Sequence, residues 1–246
     1  MQRYKLTIAY DGTDYAGWQV QPNGMTVQER LENSIHKLTG GEKVKVHGSG
    51  RTDQGVHARQ QVAHFDLNKT ISCKTLRRGL NALLPADVRI LKAQRANPTF
   101  HARRSAVSKE YRYFIWNGDI IPPFLRHYRT HIRTPLDIVG MRKACSLLMG
   151  RHDFTAFSAN SKKEIESAVR NLSELRILKR GSEIVIIAKS EGFLYKMVRS
   201  LAGFLIKVGE GAKPPTDAKI ILSSRKRTAR VPTAPPQGLF LWNVIY

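Results

Sequence analysis

The chain has 246 residues and sets 41 Lys and Arg against 19 Asp and Glu, a formal charge of +22. With 41% hydrophobic residues it can bury a real core in one large or two modest domains. Such a charge speaks to partners and not to fold, and it favours a polyanion such as nucleic acid. A membrane partner is disfavoured: there is no apolar run on the order of 18 residues, no lipidation motif and no basic amphipathic helix at the end of the chain. Met1–Thr7 lack the apolar core of a signal peptide, and Cys73 and Cys145 are too few for a disulfide framework or a multi-cysteine zinc site. A cytoplasmic setting is expected, with both cysteines as small buried side chains in helices.

Residues 4–10 alternate polar and apolar and read as a strand. A turn-rich stretch follows, in which Asp11 and Asp14 read as turn formers. Thr26 then caps a helix, with Glu29 completing a capping box and Val27, Leu31, Ile35 and Leu38 on one face; Gly40-Gly41 ends it. Strands are expected at 43–47 and 60–67. A second helix is predicted from Lys74 to Leu84 with Leu76, Leu80, Leu83 and Leu84 inward, then a strand over 88–93. The order is β-α-β-β-α-β, the ferredoxin-like split unit.

The second half varies the theme. Lys109–Trp116 reads as a strand and Leu136–Met149 as a helix stopped at Gly150. A hairpin is expected around Gly181, between strands at 172–178 and 183–189. Leu194, Val198, Leu201, Leu205 and Val208 form a helical stripe ending at Gly209, and Gly238–Ile245 reads as a last strand. Nothing rich in Ser and Gly separates the halves, so they are expected to share one continuous sheet. The expected boundaries are 1–105 for the first half and 106–246 for the second.

One loop carries chemistry. Gly48-Ser-Gly-Arg-Thr-Asp-Gln-Gly-Val-His-Ala58 sets Asp53 two residues after Arg51 and two before Gly55, between strand-like runs. Rigid scaffolds present reactive groups on such loops, although an aspartate in a glycine-rich turn also serves as a turn former. His57 and His64 are seven apart, an odd spacing that puts them on opposite faces of a regular strand and argues against a metal pair. Basic residues cluster in three places: eleven between Lys69 and Arg112 against Asp87 and Glu110, then Arg126–Arg133, then Arg225–Arg227 with Arg230. In the second cluster rings alternate with guanidinium groups, a composition suited to phosphates and unstacked bases.

Gly50–Ala58 resembles the signature of the tRNA pseudouridine synthase A family. Further blocks agree in order: Tyr10–Pro22, Phe100–Arg103 with Ser105-Ala106, Tyr111-Arg-Tyr113, and Gly192-Phe-Leu194 with Met197-Val-Arg199. Arg104 departs from the pattern, which more often has an aromatic residue there. The blocks span essentially the whole chain.

The resemblance implies an α+β pseudouridine synthase fold: two ferredoxin-like halves sharing a largely antiparallel central sheet, with helices on the outer faces. It implies an isomerase converting uridine to pseudouridine at positions 38, 39 and 40 of the tRNA anticodon stem–loop. It further implies a homodimer that needs no cofactor and no metal. Asp53 would be the catalytic nucleophile or base. Arg51 would occupy the space left by the extruded base, Tyr111 would stack on the uracil, and Arg199 would pair with Asp53. By pattern alone Tyr111 fits a core position, and Arg199 fits the edge of an apolar helix.

Two other classes compete. A non-catalytic RNA-binding protein could use a ferredoxin-like sheet to hold bases, as RRM domains do, but Lys109–Trp116 lacks the glycines of their RNP1 signature. A phosphodiesterase would want convergent metal ligands, and none cluster in the sequence.

Overall fold

The computed structural model describes residues 1–159 and 167–246. In chain order the elements are β1 (Gln2–Tyr10), α1 (Val27–Thr39), β2 (His47–Gly48), β3 (His57–Leu67), α2 (Cys73–Leu83), β4 (Val88–Arg95), β5 (Ser108–Asn117), β6 (Thr130–Ile132), α3 (Ile138–Leu148), β7 (Gly150–Asp153), β8 (Val169–Arg180), β9 (Glu183–Ser190), α4 (Met197–Gly209), α5 (Asp217–Ser224) and β10 (Leu239–Ile245). The fold is α+β with mostly antiparallel strand pairing, as expected. The chain divides into two compact units, Met1–Val107 with Phe240–Tyr246, and Ser108–Leu239. The last strand thus belongs with the first unit, where a single break at 105/106 leaves it with the second.

In the first unit β1 is central, antiparallel to β3 on one edge and to β4 on the other. The far edge of β3 is shared. Its first residues run parallel to β10, Phe240 beside His57 and Leu241 beside Ala58, while Ala63 and His64 pair antiparallel with β2. This corrects the strand expected over 43–47. Only His47 and Gly48 join the ladder, although Val46 is buried and its N–H donates to Glu32 Oε1 at 2.8 Å.

Local signals place α1 and α2 as read, whereas α4 starts at Met197, leaving Leu194 of the expected stripe before it, and α5 was not expected. Thr26 Oγ1 accepts from the Glu29 N–H, and Gly40 closes α1 in the left-handed region at φ 72°. At Gly79 of α2 a Cβ would lie 2.5 Å from the tip of the Leu38 side chain, so α2 approaches α1 closely there. Leu76, Leu80 and Leu84 are buried, but Leu83 is 44% exposed. Leu83 is the last residue of α2 and three past Leu80, at the margin of the buried stripe. Cys145 is buried as expected, and burial pushes its thiol up to about 12; Cys73, at the start of α2, is only half-buried, which corrects that expectation.

In the second unit the sheet runs β5-β9-β8-β7, antiparallel throughout, with β6 parallel to β5. With β6 and β7 set aside, the order β5, α3, β8, β9, α4 repeats the strand-helix-strand-strand-helix order of β1 to α2. The hairpin between β8 and β9 turns at Gly181, φ 55°. Helix α4 is apolar nearly all round: of its residues only Arg199 and Lys207 are not buried. Each large apolar side chain buried there contributes about 1.5–3 kcal/mol relative to exposure. No helix among the described residues is long and apolar enough to cross a membrane.

Candidate active site

Asp53 is half-buried on the loop between β2 and β3, and Arg51 beside it is exposed. That loop is held from several directions. The Trp18 N–H donates to the Thr52 carbonyl at 3.1 Å, and the Ser49 N–H donates to the Val62 carbonyl at 2.7 Å. The Val56 N–H donates back to the Asp53 carbonyl at 3.1 Å, a turn in which Gly55 takes φ 74°.

The segment Gly12–Trp18 wraps the loop at distances only glycine permits. A Cβ on Gly12 would lie 2.0 Å from the Val56 carbonyl oxygen, and one on Gly17 would lie 2.6 Å from that of Thr52. Asp11 is a turn former here, accepting from the Thr13 N–H and hydroxyl. The opening motif is therefore the cradle of the Asp53 loop, a role the sequence did not reveal.

Beneath the loop lies a buried polar group. Gln61 of β3, fully buried, accepts from the Ser49 hydroxyl at 2.6 Å and donates to the Gly50 carbonyl at 2.9 Å. The Tyr10 hydroxyl meets Thr52 Oγ1 at 2.8 Å and also bonds Gln61; burial pushes that phenol above its ordinary range. The signal for Gln61 was its parity, since it shares a strand face with Ala63, Phe65 and Leu67, all buried.

His57 and His64 have separate surroundings. His57 Nδ1 accepts from the Gly12 N–H, and its ring stacks on Phe240 at 4.6 Å. His64 Nδ1 accepts from the Ala102 N–H, and its ring lies 5.0 Å from His47 and 4.7 Å from His101. Burial first, then the neighbouring histidines and Arg3, lower His64 to about 4. Among the described residues no group of three or more His, Cys, Asp or Glu is arranged to hold a metal ion.

Tyr111 and Arg199 belong to the second unit. Tyr111, 7% exposed, lies on β5 with the Phe193 ring edge-on at 5.1 Å. Tyr113, two residues on and fully buried, is structural: its hydroxyl pairs with Thr130 and donates to the Pro235 carbonyl at 2.9 Å. Arg199 sits in the first turn of α4. Its Nε donates to the Ala234 carbonyl at 2.8 Å, and the Ala234 N–H returns to the Arg199 carbonyl at 2.9 Å. Just before α4, Lys196 takes a left-handed φ of 56°, a strain of about 1 kcal/mol or more for a non-glycine residue. The site residues thus fall in two groups, Arg51 and Asp53 in one unit, Tyr111, Phe193 and Arg199 in the other.

The basic clusters divide into structural and exposed members. Arg112 pairs with Glu110, and Arg129 pairs with Glu183 while lying over the Phe114 ring. Arg227 donates to the Ser200 and Thr233 hydroxyls and to the Val231 carbonyl. Arg77, Arg78, Arg103, Arg104, Arg126, Arg133, Lys226 and Arg230 are exposed.

Comparison with known proteins agrees with the loop motif. A family model described as tRNA pseudouridine synthase matches residues 6–103 and 144–246. The whole chain aligns at 43% identity with the tRNA pseudouridine synthase A of Limosilactobacillus reuteri (strain DSM 20016), covering 97% of that protein. It aligns at 44% with that of Exiguobacterium sp. (strain ATCC BAA-1283 / AT1b), covering 98%, and at 42% with that of Brevibacillus brevis, covering 100%.

Proposed function

The chain belongs to the tRNA pseudouridine synthase family, and we propose that it converts uridine to pseudouridine at positions 38, 39 and 40 of the anticodon stem–loop, with Asp53 as the catalytic carboxylate. The observation that carries this reading is Asp53 itself, a carboxylate displayed on a loop clamped at Thr52 and Val56. The reaction breaks the N1–C1′ bond, turns the uracil and forms a C5–C1′ bond; the proton on C5 leaves and N1 gains one. No electrons are transferred and no group is lost, so the chemistry asks for positioning and one nucleophile or base, which Asp53 supplies.

The uridine must first leave the stack. Arg51, exposed next to Asp53, fills the space the base vacates. Tyr111 stacks on the extruded uracil, with Phe193 fixing its ring from the edge. Arg199, anchored through Ala234, pairs with Asp53. The exposed arginines and lysines bind the tRNA backbone. We further propose that the protein works in the cytoplasm as a homodimer.

The test is an unmodified tRNA transcript carrying uridines at 38, 39 and 40. The purified protein should form pseudouridine there and leave other uridines untouched. Modification confined to other positions would overturn the assignment of site.

A further inference from the structure

We propose that Gln61 is a positioning residue that holds the Arg51–Asp53 arm in its productive geometry while the uridine is drawn out of the helix. The proposal rests on the reading of Asp53 as the catalytic carboxylate.

The geometry is that of one buried amide serving a whole loop. Gln61 Oε1 accepts from the Ser49 hydroxyl at 2.6 Å and from the Val62 N–H at 3.2 Å, while Nε2 donates to the Gly50 carbonyl at 2.9 Å. Through its bond with the Tyr10 hydroxyl the amide also reaches Thr52 Oγ1, 2.8 Å from that hydroxyl. Ser49, Gly50 and Thr52 are thus tied down from below, and Arg51 stands exposed between two anchored neighbours.

Gln61 comes from the interior of β3, opposite Ile8 of β1, so the anchor is part of the sheet and not of the loop. A neutral amide accepts from one loop residue through its oxygen while donating to the next through its nitrogen. An arginine pushed into a base stack pulls on its own backbone. A loop hung only from its ends would give, and a misplacement of about 1 Å costs on the order of 100-fold in rate.

Gln61→Glu keeps the shape and the acceptor. Only its protonated form can donate to the Gly50 carbonyl. Gln61→Met keeps the size and removes both polar arms. Each variant is checked for folding by circular dichroism and for tRNA binding by filter retention. Single-turnover pseudouridine formation is then measured at saturating tRNA between pH 5 and 8.

The expected result is a saturating rate about 10- to 100-fold below wild type for Gln61→Met, with Kd within about 2-fold. For Gln61→Glu the rate relative to wild type should rise as pH falls, as protonation restores the donor. A purely structural role would lower the melting temperature and leave the rate of folded enzyme unchanged. Wild-type rates at every pH in folded variants would overturn the proposal.

If neither Gln61 variant folds, Tyr10→Phe decides. It deletes only the hydroxyl linking Gln61 to Thr52 and should lower the saturating rate about 5-fold; a wild-type rate would overturn the proposal. Asp53→Asn runs alongside. Activity in Asp53→Asn would remove the premise, whereas an inactive Asp53→Asn beside fully active Gln61 variants would remove only this inference.

Discussion

The Trp18 amide donates to the Thr52 carbonyl at 3.1 Å, so the residue directly before Asp53 hangs from a turn more than thirty positions upstream. Neighbouring contacts share the load. Gly17 touches the same carbonyl, Gly12 packs on Val56, and a Cβ at Gly48 would lie 2.6 Å from the Trp18 indole. The loop that displays the carboxylate is a loop by its backbone and a fixture by its packing.

Gly17→Ala tests this cradle. Gly17 has φ 103°, and an added Cβ would meet the Thr52 carbonyl oxygen. The variant should lose about 10-fold or more in turnover and melt about 5 °C lower. Steady-state kinetics with a melting curve measure both. Unchanged turnover would show that the Gly17 contact does not position the loop.

Tyr111→Ala separates a stacking platform from a core residue. As a platform under the uracil, Tyr111 acts after the tRNA is bound. Turnover should fall about 100-fold or more and Kd should change by less than about 3-fold. An unchanged rate in folded protein would assign Tyr111 to the core alone.

The histidines beside β3 predict a pH dependence of stability. His64 is lowered to about 4, chiefly by burial, and His47 and His101 are lowered too. Lys45, Arg3 and Arg104 face the cluster as cations, Glu32 and Asp66 as anions. A histidine lowered on folding binds fewer protons folded than unfolded, so its stabilisation is present above about 6.5 and is lost as pH falls towards 4. The melting temperature should drop by about 5 °C over that window. His64→Asn should flatten the slope; an equal slope in the variant would place the titration elsewhere.

Binding should weaken steeply with salt. Each phosphate contact adds to the slope of log affinity against log salt, and exposed basic residues such as Arg77, Arg78, Arg103 and Arg104 are available for such contacts. Filter binding of tRNA across a salt series measures the slope. A slope near zero would remove the electrostatic account.

Much of this was legible in the sequence, for identifiable reasons. Helix α1 declares itself through Thr26, its periodic apolar residues and Gly40; α4 does so through a stripe from Val198 to Val208. Such signals are local. The brevity of β2 was hidden because β10, nearly two hundred residues away, takes part of the same edge of β3. The motif marked Asp53 and Arg51, whereas the braces beneath them join Tyr10, Thr52 and Gln61 through tertiary contacts no short pattern encodes. Arg227 misled in the other direction: it reads as part of a basic patch, yet it stitches α4 to the chain that follows α5.

The central claim is that the Asp53 carboxylate starts the isomerisation. Tritium release from tRNA labelled at C5 of uridine measures the reaction directly, because forming the C5–C1′ bond expels the C5 hydrogen. The wild-type protein should release tritium from the target uridines. Asp53→Asn should release none above background while holding tRNA with a Kd within about 3-fold of wild type. Release at a comparable rate by Asp53→Asn would contradict the account.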